Sequence, residues 1–247
     1  FDREQRIEIE YPEMRKDLLP GIVRFVRPAP GMSFVLYSRL DETSVDAAIE
    51  AQVAYFSALG QPFEWKAYTH DTPADLPERL RARGFEVEDP EAVMILDLHA
   101  APESLLGPLP DGVRRLERRE ELGEVKAVLA QVWGGNFDWV DRRLGGDMEI
   151  PGYLSVYTAE AEGQIGCVGW IYFHAHSQFA SLWAGSTLPD LRRRGLYTAV
   201  LAARVQEAVR RGYRYLVIDP GPESKPIVAR HGFSLLTEAY DCEWKQN

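Results

Sequence analysis

Arg192-Arg193-Arg194-Gly195 is the stretch whose residue types and spacing could do chemistry. It follows Pro189, which disfavours helix, and precedes an amphipathic run with apolar residues at Leu196, Val200, Ala203 and Ala208. That periodicity predicts a long helix opening at Gly195. A helix start leaves about four backbone N–H groups without intrahelical partners, and the helix dipole adds positive potential there. A phosphate suits such a place, and neighbouring guanidinium groups would add charge-assisted hydrogen bonds. The same residues could also form an ordinary solvated turn.

The elements around this stretch read as a strand before it, over residues 178–185, and a strand after the helix, over 215–219. Three consecutive strands are expected at 153–160, 164–174 and 178–185, with Glu162-Gly163 as a turn. Before them, Val113–Leu116 reads as a strand and Glu120–Trp133 as a helix. Residues 134–152 read as a helix fragment with loops that could line a pocket. In the first half, a short helix is expected within residues 1–20, ending near Pro20-Gly21. Strands follow at 22–26, 33–37 and 63–70. Helices are expected at 44–59, stopped by Gly60, and at 76–83. A hairpin is expected around Asp89-Pro90. After residue 219, a short helix over 224–230 and strands at 233–237 and 242–244 complete the second half. Residues 101–112 hold three prolines and two glycines, so they read as a linker.

An internal repeat supports two halves. Phe63–Asp71, Asp75–Arg83 and Gly84-Phe85 line up with Tyr213–Asp219, Glu223–His231 and Gly232-Phe233. Both copies read as strand, turn with Asp, short helix, Gly-Phe, strand. The expected fold class is therefore α+β with a mixed sheet in each half.

Composition narrows the function. The 247 residues carry a net charge of −10, which disfavours nonspecific nucleic-acid binding. Nearly all of that excess falls in residues 1–110, so a local basic patch fits the second half. An acidic surface on the first half would favour a cationic acceptor such as an amine. No apolar run approaches a membrane span and no secretory pattern is seen, so a cytoplasmic protein away from membranes is expected. Two cysteines, Cys167 and Cys242, suggest neither a disulfide framework nor a metal site.

Residues 113–247 resemble the GCN5-related N-acetyltransferase (GNAT) superfamily. The resemblance rests on Arg192-Arg193-Arg194-Gly195-Leu196-Tyr197, similar to the loop pattern Q/R-x-x-G-x-G/A, and on the preceding strand end Ser186-Thr187-Leu188-Pro189. The long helix and the later Ser224-x-x-Ile227-x-x-x-x-Gly232-Phe233 add to it. It implies a tandem arrangement: a partial, degenerate copy over 1–100, a linker over 101–112 and an acetyl-CoA-binding domain over 113–247. In the first copy the loop equivalent is Ser38-Arg39-Leu40-Asp41-Glu42-Thr43, which has no glycine and two acids.

The implied activity is transfer of an acetyl group from acetyl-CoA to a primary amine of a small molecule or peptide, without a metal. A sensor or interaction module binding acyl-CoA without turnover is the alternative. A monomer or homodimer is expected. By the resemblance, amides from Arg193 to Thr198 cradle the pyrophosphate and Arg192, Arg193 and Arg194 supply charge. Ser186, Thr187 and Leu188 pair with the pantetheine arm and offer an oxyanion donor. Ser224 lies near the cofactor sulfur. Two departures stand out: Tyr197 replaces a small residue, and Val228 stands where the family often has a proton-donating tyrosine. Candidate bases are Glu64, His70, Asp138, Asp141, Glu149, His174 and His176, with Glu64, His174 and Asp138 foremost. Trp133, Phe137 and Trp139 could wall the acceptor site.

Overall fold

The computed structural model describes residues 1–245, and its contacts divide the chain into two units. Unit 1 comprises residues 1–93 together with the C-terminal segment from Leu235, and unit 2 comprises 94–234. In chain order the strands and helices are β1 (Arg15–Leu19), β2 (Ile22–Val26), β3 (Ser33–Ser38), α1 (Val45–Leu59), β4 (Phe63–Tyr68), α2 (Leu76–Ala82), β5 (Glu86–Val87) and β6 (Glu91–Asp97). They continue with α3 (Glu103–Leu106), β7 (Val113–Arg115), α4 (Leu122–Trp133), α5 (Trp139–Met148), β8 (Leu154–Ala161), β9 (Gln164–Phe173) and β10 (Phe179–Thr187). Last come α6 (Leu196–Arg210), β11 (Tyr215–Ile218), α7 (Lys225–Arg230) and β12 (Ser234–Trp244).

In unit 1, β1-β2-β3 is an antiparallel meander and β4 joins β3 in parallel. The crossover between β3 and β4 is α1. Val45, Ile49, Gln52 and Phe56 are its buried side chains, at helical spacing, and Gly60 closes it at φ 65°. These residues meet Trp65, Phe63, Leu76, Leu80 and Cys242 in one core. The helix expected within residues 1–20 is replaced by one π-helical turn, Arg3–Ile7, and by β1. The reason is local: Leu19 pairs with Ile22, so Pro20-Gly21 is a two-residue hairpin turn, with Gly21 at φ 72°. The completely buried Arg6 holds the π-helical turn in place by binding Asp71 and the Leu36 carbonyl.

The hairpin expected around Asp89-Pro90 does not form. β5 pairs instead with β12, Val87 opposite Cys242, and β12 also pairs antiparallel with β4. In unit 2, Met94–Asp97 of β6 pairs with β11. The run Ala92-Val93-Met94 is buried throughout, as expected of a strand covered on both faces rather than a hairpin edge.

In unit 2, β7-β8-β9-β10 run antiparallel, and β11 joins β10 in parallel after α6. Thus β1-β2-β3-α1-β4 and β8-β9-β10-α6-β11 share one pattern of pairings, the physical basis of the sequence repeat. β9 alternates as a strand must. Val168, Trp170 and Tyr172 join the core with Leu129 of α4 and Leu144 of α5. Gly169 instead lies under Val200 and Arg204 of α6. The expected linker 101–112 contains α3, whose Leu105 is fully buried, and Gln206 of α6 donates to the Leu105 and Gly107 carbonyls. It is therefore packed structure, not a free connector.

Candidate functional site

The arginine stretch sits where β10 leaves β11. The two strands pair only from Phe179 to Ser181, opposite Tyr215 to Val217. β10 then runs on to Thr187, held by β9 alone. A bulge at Ala184-Gly185, with φ of 57° and 101°, breaks the register in between. On its β11 side, this last stretch of β10 has no strand partner among the described residues.

Past Thr187 the chain turns through Pro189–Leu191 and enters α6 at Gly195, whose φ of 82° is left-handed. Glycine adopts that conformation without strain. The first intrahelical bond is Ala199 N–H to the Gly195 carbonyl, so the amides of Leu196 to Thr198 precede the helical ladder. A fifteen-residue helix with free amides at its start is a ready anion site.

The three arginines, all exposed, have separate fates. Arg194 pairs with Glu162. Arg192 pairs with Glu223 at 3.3 Å, and its Nε approaches the Thr187 carbonyl at 3.4 Å. Arg193, at φ 62°, forms no ion pair among the described residues. The charge expected from all three is therefore free only on Arg193.

The expected strand-end residues also divide. The Leu188 amide donates to the Gly166 carbonyl at 2.9 Å and its side chain is buried, so it is not an open donor. The Ser186 hydroxyl accepts from Trp133 Nε1 at 2.9 Å and is buried too. Thr187 is different. Its carbonyl meets Arg192 on the side away from β9, and in an antiparallel ladder a residue's N–H and C=O point the same way. The Thr187 amide therefore faces the open edge.

Tyr197 turns its ring onto Gly185, where a Cβ would lie 2.8 Å from Cε2. The tyrosine thus leaves the loop's outer face clear and packs beneath the bulge. Its hydroxyl lies toward Ser224 without completing a hydrogen bond, and burial raises its pKa. Ser224 precedes α7 and bonds the Gly221 carbonyl. Thr198 and His231 share a 3.3 Å contact. Val228 is fully buried and cannot donate a proton.

None of the candidate bases is poised beside this loop. His174 is buried against Ser181 Oγ at 3.1 Å, and desolvation pushes its pKa down to about 4. It is neutral at pH 7 and weakly basic. Asp138 is exposed, accepts from Asn136 and stands 3.9 Å from Lys126. Asp141 binds Lys126, Glu149 pairs with Arg119, and His176 is exposed. Glu64 and His70 belong to unit 1. His70 contacts Asp2 and Thr237, while burial and then Asp241 raise the Glu64 pKa to about 7.

Several neighbours of the bulge carry no motif that a sequence reading would single out. Trp183 is half exposed and stands edge-on to Tyr172, whose hydroxyl donates to Asp147 at 2.7 Å. Trp139 packs on Trp170, and Trp133 is 71% exposed, so tryptophans from α4, α5 and β10 surround one face of the strand. Phe137 tucks into the core instead. Arg204 of α6 is completely buried. Its Nη1 donates to the carbonyls of Trp170 (3.3 Å) and Trp183 (3.2 Å), tying two strands just before the bulge. An arginine falling one turn after Val200 on an apolar stripe is the one signal the sequence offers for it.

A mixed sheet whose central parallel pair splays beside a glycine-started helix can be compared with known folds. Over 95% of its length this chain superposes on 91% of a GCN5-related N-acetyltransferase from Kribbella flavida, with a TM-score of 0.72 and 16% identity. A tandem GNAT protein from the clavulanic acid biosynthesis pathway gives 0.62 at 11% identity, covering 96% of this chain and 85% of its own. The chain adopts the GNAT fold. A GNAT-family acetyltransferase from Novosphingobium aromaticivorans adds a TM-score of 0.58 at 14% identity, covering 94% and 91%. No family model and no curated protein matches the sequence. In GNAT terms, unit 2 carries the glycine-started helix and the open strand edge. In unit 1, Asp41 fills the equivalent turn, accepting from the amides of Thr43 and Ser44.

Proposed function

We propose that the chain is an acyl-CoA-dependent N-acyltransferase, with acetyl-CoA as the reference donor and a small-molecule or peptide amine as acceptor. The observation that carries this reading is the separation of β10 from β11 beyond Ser181, directly beside the amides that open α6. Bound acyl-CoA would supply a thioester whose carbonyl takes the amine while the thiolate leaves. The Leu196–Thr198 amides and Arg193 would hold the diphosphate. The edge of β10 would receive the pantetheine arm as an added strand, with the Thr187 amide as an outward donor. An N–H aimed at developing negative oxygen is an effective stabiliser. Ser224 lies on the same side as Tyr197. The acceptor would enter along the tryptophan face.

Acid–base help is sparse. A thiol with a pKa near that of cysteine, about 8.5, leaves near neutral pH without a strong acid, so Val228 is tolerable. An ammonium of pKa about 10.4 must lose its proton before attack. His174 is too weakly basic to take it efficiently, leaving water as the acceptor of that proton.

The buried Val228 and the absence of a poised base among the described residues favour a second reading, a module that binds acyl-CoA without turnover. The degenerate role of unit 1 belongs to the same proposal, because the acids at Asp41 and Glu42 oppose a diphosphate. Calorimetry with acetyl-CoA tests the site. The wild type should bind, and the double variant Arg193→Glu, Gly195→Val should lose at least about tenfold in affinity, the weight of one charge-assisted contact. Equal affinity of the two proteins overturns the site. Thiol release with a panel of amines then separates transferase from sensor.

A further inference from the structure

We propose that the acyl group delivered to this cleft ends in a carboxylate, and that Arg204, with Tyr197 beside it, forms the subsite that reads it. The inference rests on the acyl-CoA reading above and adds the class of donor.

Arg204 is an unusual resident of a protein core. It is fully buried, and three of its hydrogen bonds are visible: Nε to the Val200 carbonyl at 3.2 Å, and Nη1 to Trp170 and Trp183. Its Nη2 has no hydrogen-bond partner. Among the described residues no carboxylate pairs with it. The titratable groups that face it are Tyr197, Cys167 and Tyr157. All three are uncharged near neutral pH, because burial raises Tyr197, moves Cys167 to about 11 and moves Tyr157 to about 12. Glu207, one turn along α6, is spent elsewhere: it accepts from Ser155, Tyr157 and Arg211. Arginine stays protonated in proteins, so the core holds a cation with no counter-charge.

Such a charge is costly to bury unless something compensates it. The surroundings are cut to admit it rather than to neutralise it. A Cβ at Gly169 would lie 3.0 Å from Arg204 Cζ, so glycine there lets the guanidinium reach the sheet backbone. Gly185 does the same for the Tyr197 ring. The Tyr197 hydroxyl is a second buried donor without a partner, two helical turns before Arg204 on the same stripe. Both side chains converge beneath the Ala184-Gly185 bulge, where β10 has already parted from β11. An acyl group placed at the bulge and extending toward α6 meets two unused donors. A methyl group leaves both unused. A carboxylate offers paired acceptors that suit a guanidinium fork.

The transfer remains balanced. The amine nitrogen bonds to the thioester carbonyl carbon, the C–S bond breaks, sulfur leaves as thiolate and the amine's displaced proton goes to water. The distal carboxylate is unchanged and is carried into the amide product.

Calorimetry with free CoA, acetyl-CoA and succinyl-CoA tests the assignment. Wild-type protein should bind succinyl-CoA at least tenfold more tightly than acetyl-CoA. Arg204→Met should bring the two within about twofold, and Tyr197→Phe should shrink the preference. Acetyl-CoA binding as tightly as succinyl-CoA, with free CoA also bound, overturns this inference and leaves the acyl-CoA site standing. Failure of all three compounds to bind removes both. An Arg204→Met protein that keeps the full preference also overturns it. Should Arg204→Met not fold, the wild-type ratio and Tyr197→Phe still distinguish the outcomes.

Discussion

Glu64 is a candidate base by its sequence position, and its surroundings make a sharper prediction about stability than about catalysis. It lies half-buried on β4, and the charged groups facing it are Asp241, Lys66, Glu243 and Glu88. Burial is the largest influence and Asp241 the next, together raising its pKa from 4.5 to about 7. In the unfolded chain the carboxyl ionises near its ordinary value. Between those two values the folded state holds a proton that the unfolded state has released, so stability falls as pH rises. At 1.36 kcal/mol per pH unit, the full loss from Glu64 is roughly 3 kcal/mol, complete just above pH 7. Glu64→Gln removes the titration and keeps the shape. Urea unfolding of both proteins at pH 5 and pH 8 measures it. The variant should gain on the wild type by about 2–3 kcal/mol between those pH values. Equal pH dependence in both proteins would refute the assignment, because it would mean that the carboxyl is as well solvated folded as unfolded.

Two further predictions concern unit 2. Leu105→Ala empties a fully buried site in the segment that sequence alone marks as a linker. It should cost about 2–5 kcal/mol in urea unfolding, whereas a free connector would show almost no change. Trp133→Phe removes the indole donor from the buried Ser186 hydroxyl. A loss of about 1 kcal/mol in stability is expected, with a raised acceptor KM in a thiol-release assay if the tryptophan face receives the amine.

Local signals were legible in the sequence, and nonlocal ones were not. α1 announced itself through the spacing of Val45, Ile49 and Phe56 and the stop at Gly60, because a helix satisfies its backbone within one segment. Pro20-Gly21 was ambiguous for a physical reason: the same pair can end a helix or turn a hairpin, and only the pairing of Leu19 with Ile22 decides. The C-terminal strand exposed the larger blind spot. Nothing in Cys242 or Trp244 says that β12 lies beside β4 while β6 lies beside β11. Strand partnership is a property of two distant segments, and a tandem repeat makes either partner plausible.

The functional loop shows the same limit at smaller scale. Arg192, Arg193 and Arg194 are one letter repeated, and composition treats them as one patch. Glu223 and Glu162, far along the chain in either direction, take the outer two, leaving the middle guanidinium for a ligand. Arg204 is the converse. On a helical wheel it is an arginine that a surface would normally claim, yet Gly169 and Gly185 open the sheet to it. Loss of a side chain at two strand positions is what converts a surface residue into a buried cation. A fold that accepts the cost of burying that charge should therefore recover it when ligand binds, and the ratio of succinyl-CoA to acetyl-CoA affinity measures that recovery directly.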